Sequence, residues 1–369
     1  MERRTLLTGI AAIGAATLVG CGGDDEKPSP TRTPSTTPTS PPTSGVPARV
    51  DPRIASTVAT GLNVPWDIVF LENGDALVSQ RDEGSIVRIT TAGKVSKVGD
   101  VDGASGVAGG EGGLLGLALA PDDESTLFAF VTTGSDDRVV RLTLDGSTIR
   151  DQEPILTDIA IGSRHHGGRL LFDREGNLFV STGDAGDGDL AQDRDSLNGK
   201  VLRITRDGKA APGNPFGNRT WSYGHRNIEG LAYDADGRLW ATEFGQDSAD
   251  ELNLIERGGN YGWPGVEGRS DDRDLVNPKV TWGTDECSPA GVAIARSTAF
   301  VAALQGECLF AVRLDGEKVG KPKAYFGGDH GRIRTVVAAP DGALWVATSN
   351  TDGRGDLRDG DDRIFRVTL

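Results

Sequence analysis

Histidine is scarce in this chain, four residues in 369, and none of the four sits in an HExxH or HxH spacing, so zinc chemistry has no local motif to rest on. Cysteine is scarcer, with three. No apolar run near the start reaches the roughly 20 residues that a membrane helix needs; the stretch from Leu6 to Val19 is too short. Positive charge is in deficit, 39 Lys and Arg against 54 Asp and Glu for a net charge of −15. Without a concentrated basic patch, nucleic acid is not an expected partner. The acidic balance suits solubility, with calcium as a candidate guest.

What is present begins with a leader. Arg3 and Arg4, the apolar stretch and Leu18-Val19-Gly20-Cys21 form the pattern of an exported lipoprotein cut at Cys21, the expected lipidation site. The paired arginines also fit twin-arginine export. The expected location is the outer face of the cell membrane, held through that lipid anchor only. Residues 22–50 are almost wholly Pro, Thr, Ser, Gly and charge, too poor in apolar surface to offset ordering, and read as a disordered tether. Residues 51–369 are then the working domain. In an oxidising location Cys287 and Cys308 are expected to form a disulfide, with two free buried thiols as the alternative.

One unit recurs six times across that domain: it starts near residues 65, 112, 167, 228, 288 and 333. Each copy has a small-residue apolar strand, a tight turn such as ENGD, DREGN, DADGR or PDGA, a second strand such as ALWVATS, a variable loop and a third strand. A fourth candidate strand usually follows. Four-stranded units repeated around an axis predict an all-β, six-bladed β-propeller; a β-sandwich would not explain the sixfold recurrence of one turn position. The last copy ends after its third strand, while residues 53–62 precede the first copy without a unit of their own. They are expected to supply the missing outer strand, closing the ring and protecting an edge.

This topology puts the short first-to-second turns on one face and the variable loops on the other, where chemistry can reside. All four histidines, His165, His166, His225 and His330, fall on the variable face at the entry to innermost strands, so they are candidates to ring one pocket. Arg226, Arg332 and Arg334 join them, a set suited to gripping an anionic ligand. Adjacent histidines in an extended segment point opposite ways, so one of the HH pair can be a general base near neutral pH. The acidic loops 184–195, 244–251 and 352–362 are calcium candidates without the EF-hand pattern, the second favoured because it sits beside the His and Arg residues. Solvated Asx turns are the alternative for all three.

Read in order, GGLLGLALAP, HHGGRLLF, SYGHRNIEGLAYD, ATEFGQDSADELNLI and GGNYGWP make the chain resemble the soluble glucose/sorbosone dehydrogenases, aldose sugar dehydrogenases that use pyrroloquinoline quinone (PQQ). The resemblance spans nearly all of residues 54–369. It implies PQQ and Ca2+ as cofactors, a small sugar as substrate and an external electron acceptor. By position it makes His165 the catalytic base and puts Arg226 over the reacting carbonyl, with Asn227 against the cofactor. The carbonyls of Gly245 and Gln246 match those that hold calcium, and Arg332 and Arg334 match cofactor-binding arginines. His166 is expected to bond locally. Two positions depart from the family: Gln305 stands where a lysine is common, and Glu111 where a glutamine is common. The expected site is two units less positive for it, which weakens affinity for an anionic quinone. The alternatives are a surface ligand-binding propeller that has lost PQQ, and a calcium-dependent lactonase; the latter needs carboxylates or Asn pointing down the channel, and no convincing set is read on the innermost strands.

Overall fold

The computed structural model describes residues 50–106 and 110–369; the leader, Cys21 and nearly all of the tether lie outside the described residues. The ring has six antiparallel sheets. Their innermost strands are Pro65–Phe70, Leu114–Ala120, Gly167–Phe172, Ile228–Tyr233, Pro289–Ala295 and Ile333–Ala338, which number the blades 1 to 6. Each blade is a meander running outward, and the expected closure is found: Arg53–Ala59 pairs antiparallel with Ile364–Thr368, the third strand of blade 6, from Arg53 opposite Thr368 to Ala59 opposite Ile364. The outermost strand of blade 5 is broken into Lys318–Val319 and Lys323–Tyr325.

The core is divided among the six junctions between neighbouring blades, each filled by its own apolar cluster. Side chains alternate across a strand, so the second strand of blade 6, Leu344–Thr348, sends Leu344 and Val346 toward blade 5 and Trp345 and Ala347 toward blade 1. Both faces are buried, which is why ALWVAT is apolar almost throughout. The inner strands crowd near the axis: a Cβ on Gly116 would come 2.2 Å from the Gly168 carbonyl oxygen, and one on Gly230 would lie 2.5 Å from that of Ala290. These contacts account for the small residues of GLLGLAL and IEGLAY.

Cys287 and Cys308 correct the sequence reading. Both are free thiols, buried in the cluster between blades 4 and 5 with Trp282, Val301 and Val312, and neither lies on an exposed rim. Here they act as small apolar side chains. Burial pushes the Cys308 thiol up to about 11, away from the thiolate that oxidation requires.

Candidate active site

The hairpin of blade 3 builds the centre of the variable face. Gly167 pairs with Thr182, and two residues further out on each chain His165 meets Asp184. His165 Nδ1 lies 2.6 Å from Asp184 Oδ1, and the carboxylate orients the ring so that Nε2 carries the lone pair. The His165 backbone is in the left-handed region, at φ 63°, a strained conformation for a side-chain-bearing residue. It is held from both sides: its amide donates to Glu111 Oε2 at 2.9 Å, and its carbonyl accepts from the Ala185 amide at 3.2 Å. The second Asp184 oxygen accepts from Trp263 Nε1 at 2.8 Å. Burial raises the Asp184 pKa, but the His165 imidazole beside it lowers it further, giving a net fall.

Beyond His165 opens a cleft of about 610 Å³, walled by Asp187 and Asp189 of blade 3 and by Gln246, Trp263 and Glu267 of blade 4. His165 alone of the four histidines reaches it. His166 turns toward blade 2, where its Nδ1 lies 2.8 Å from Asp137 Oδ2. His225 is fully buried between Ser222 and Glu243 and stacks on Tyr261, and His330 packs against Phe365. The expected ring of histidines is therefore a single imidazole with three structural ones behind or beside it, because His166, His225 and His330, on the segments entering blades 3, 4 and 6, turn their rings into the packing.

The arginines also sort themselves. Arg332 pairs with Asp352, and Arg334 donates to Glu229 Oε2 at 2.7 Å and to Ser349. Lower in the channel Arg169 pairs with Asp67. Inner-strand carboxylates therefore exist, contrary to the sequence reading, but Asp67 and Glu229 are each matched by an arginine. Arg226 differs. Among the described residues no carboxylate lies within salt-bridge distance of it, its Nε is buried without a hydrogen-bond partner, and its guanidinium sits 5.5 Å over the Trp263 ring. Burial works against that charge and lowers its pKa. Glu111, expected to repel an anion, is neutralised by Arg354 Nη1 at 2.9 Å. Burial raises the Glu111 pKa, yet the His165 amide and Arg354 outweigh it and the net shift is downward. Asn227 Oδ1 accepts from the Gly167 amide at 2.9 Å, so this side chain supports the base from behind. Gln305 is exposed.

The loop after the second strand of blade 4 carries a donor set of its own. One oxygen of Glu267 accepts from the amides of Gln246, Asp247, Ser248 and Ala249 at 2.7–3.0 Å. Burial raises the Glu267 pKa, and these four donors bring it below the ordinary value. In a trans peptide N–H and C=O point opposite ways, so amides turned onto Glu267 turn the carbonyls of Gly245 and Gln246 away from it. Neither carbonyl accepts a hydrogen bond from the described residues. Two outward, unsatisfied carbonyls beside an acidic group suit a hard cation. The other acidic loops resolve into Asx turns and ion pairs, with Gly186 and Arg354 amides donating to Asp184 and Asp352.

Sequence reasoning missed Asp184 as the orienting acid, Trp263 as its second partner, and Glu267 and Arg354 altogether. Asp184 was within reach, since extending the hairpin register of blade 3 by two residues puts it opposite His165. A larger depression, about 730 Å³, lies on the opposite face between blades 3 and 4. Arg203 there pairs with Asp173 and Arg238 with Asp234, and no oriented base faces it.

Fold and site together define a propeller enzyme with a carboxylate-oriented imidazole on the cleft and, stacked on its tryptophan wall, a buried arginine that has no carboxylate partner among the described residues. The family model for glucose/sorbosone dehydrogenases matches residues 62–358, and the chain belongs to that family. It is 46% identical to the PQQ-bound aldose sugar dehydrogenase of Streptomyces coelicolor, with a TM-score of 0.84 over 87% of this chain and 98% of that one. A putative oxidoreductase (glucose dehydrogenase) of Thermus thermophilus is 39% identical, with a TM-score of 0.80 over 86% of this chain and all of that one. The aldose sugar dehydrogenase YliI of Escherichia coli K12 is 32% identical over 79% of this chain and 89% of its own length. The chain is an oxidoreductase of this group.

Proposed function

We propose that this protein oxidises aldose sugars or related alcohols, using PQQ and calcium bound over the channel and passing electrons to an external acceptor. When bound, PQQ would supply a hydride acceptor for oxidation at the anomeric carbon, and calcium would supply a Lewis acid. His165 takes the substrate hydroxyl proton at Nε2. Asp184 keeps Nδ1 protonated and stabilises the imidazolium that forms. Arg226 offers its unpaired guanidinium to the oxygen where negative charge develops. The carbonyls of Gly245 and Gln246 would hold the calcium. Arg332 and Arg334 would meet the cofactor as half of neutralised pairs, and Gln305 as a neutral rim contact.

The observation that carries the reading is the His165–Asp184 pair opening on a cleft walled in part by Trp263, with Arg226, its Nε buried and without a partner, stacked on that tryptophan. The fit of PQQ rests on that nitrogen, and the fit of calcium on the two free carbonyls. Titration of the purified protein with PQQ and calcium, followed by dye reduction across a panel of aldoses, tests it. Stoichiometric binding with sugar-dependent reduction is expected. No binding at cofactor concentrations well above micromolar would turn the reading toward a propeller repurposed for another ligand.

A further inference from the structure

One buried cation beside the cleft has no part in that chemistry. Lys200 opens the third strand of blade 3, Lys200–Ile204, and is fully enclosed. Its ammonium donates to three backbone carbonyls: Leu190 at 2.8 Å, Ala191 at 3.0 Å and Asn198 at 2.6 Å. An ammonium has three donors, and here all are used. Among the described residues no carboxylate lies within salt-bridge distance. Burial pushes the ammonium down to about 7, with Asp193 pulling the other way. Desolvating an ammonium is costly, and an apolar side chain would pack the strand without that cost.

The three carbonyls belong to the two ends of one loop, residues 190–198, so the ammonium closes that loop as a bound metal ion would. The same segment supports the blade 3 wall of the cleft, and it is braced across to blade 4. Gln192 Nε2 donates to Asn260 Oδ1 at 3.0 Å and to the Trp263 carbonyl at 2.6 Å, and Asn260 Nδ2 donates back to Gln192 Oε1 at 3.1 Å. Gly188 lies so close to Pro264 that a Cβ there would come within 2.8 Å of the proline Cβ. Trp263 in turn donates to Asp184, the partner of the base. A continuous set of contacts thus runs from the Lys200 ammonium through the short helix Asp189–Gln192 to the tryptophan and the acid.

We propose that Lys200 is a positioning residue: its ammonium serves as a built-in cation that fixes the 187–198 loop and, through Gln192, sets Trp263 against Asp184, so that the sugar-facing wall is formed before substrate arrives. The inference deepens the sugar-oxidation reading and rests on it for its kinetic part. Two variants test it. Lys200→Met keeps the stem and removes the charge, and Gln192→Ala cuts the next link outward.

Hydrogen exchange on the protein without cofactor or sugar should rise about tenfold in residues 187–198 of Lys200→Met, and in 260–266 of both variants, with blades 1, 5 and 6 unchanged. After loading with PQQ and calcium, KM for the aldose should rise about tenfold while kcat stays within about twofold, the split of lost ground-state positioning. Unchanged exchange in 187–198, or a fall in kcat at constant KM, overturns the proposal. If Lys200→Met does not accumulate folded, Gln192→Ala decides, and wild-type exchange and KM in that variant overturn it. Should the wild-type protein oxidise no aldose, the sugar reading fails while the exchange measurement still decides the role of Lys200.

Discussion

On one side of the backbone at residues 165 and 166, an imidazole paired with a carboxylate through Nδ1 opens on a cleft of about 610 Å³. On the other side an imidazole paired in the same way, with Asp137, meets only the packed wall of blade 2. The two pairs share their chemistry and differ in access. A carboxylate-oriented histidine is therefore a structural device that becomes catalytic only where the second ring nitrogen faces a substrate, and the left-handed turn at His165 is what separates the two directions.

The largest effect expected from breaking this comparison is in His165→Gln: turnover falls by about 10³-fold or more, in the range a positioned base supplies, while PQQ binding measured by absorbance titration is retained. Asp184→Asn leaves the ring in place but presents a donor to Nδ1, and about a 10²-fold loss of kcat is expected from the misplaced proton. Glu267→Gln removes the charge that gathers four amides; calorimetry should find calcium bound about tenfold more weakly as the carbonyls lose their aim.

On the blade 2 side, His166→Phe should cost about 1–3 kcal/mol of unfolding free energy by leaving Asp137 buried without its partner, with kcat within about twofold. Burial pulls the His166 pKa down, but the Asp137 hydrogen bond and charge raise it above its ordinary value. The stabilisation is thus fully present below about 6.5 and fades as pH rises through the raised value. Denaturant unfolding of wild type and His166→Gln from pH 5 to 9 should give a stability difference that shrinks toward alkaline pH. The smallest effect belongs to Gln305→Lys: an exposed positive charge at the rim should tighten PQQ by no more than about fivefold, an effect weakened by added salt.

The fold was legible because a repeated unit carries its own signals. Six turns at one position of the repeat, strands with both faces apolar, and a leftover strand before the first unit to match the one missing from the last specify a closed ring before any long-range contact is known. The site was legible only where a local string carries it, as HHGGR and GHRN do for His165 and Arg226. Asp184, Trp263 and Glu267 act through partners 19, 79 and about 20 residues away, and Arg354 reaches Glu111 across 243 residues. No periodicity links such positions. Cys287 and Cys308 misled for the related reason that pairing requires geometry, which composition does not supply.

The strand that closes the ring also sets a schedule. Arg53–Ala59 leaves the ribosome before any blade, yet its partner Ile364–Thr368 follows all six inner strands, so the final seam waits until the sixth blade has been made. The Arg53–Thr368 contact of that seam spans 315 residues, and contacts of such separation form slowly. A circular permutant that moves residues 53–59 behind Leu369 would turn the seam into a local hairpin, and its refolding rate would measure how long the native chain stays open to capture by other unpaired edges.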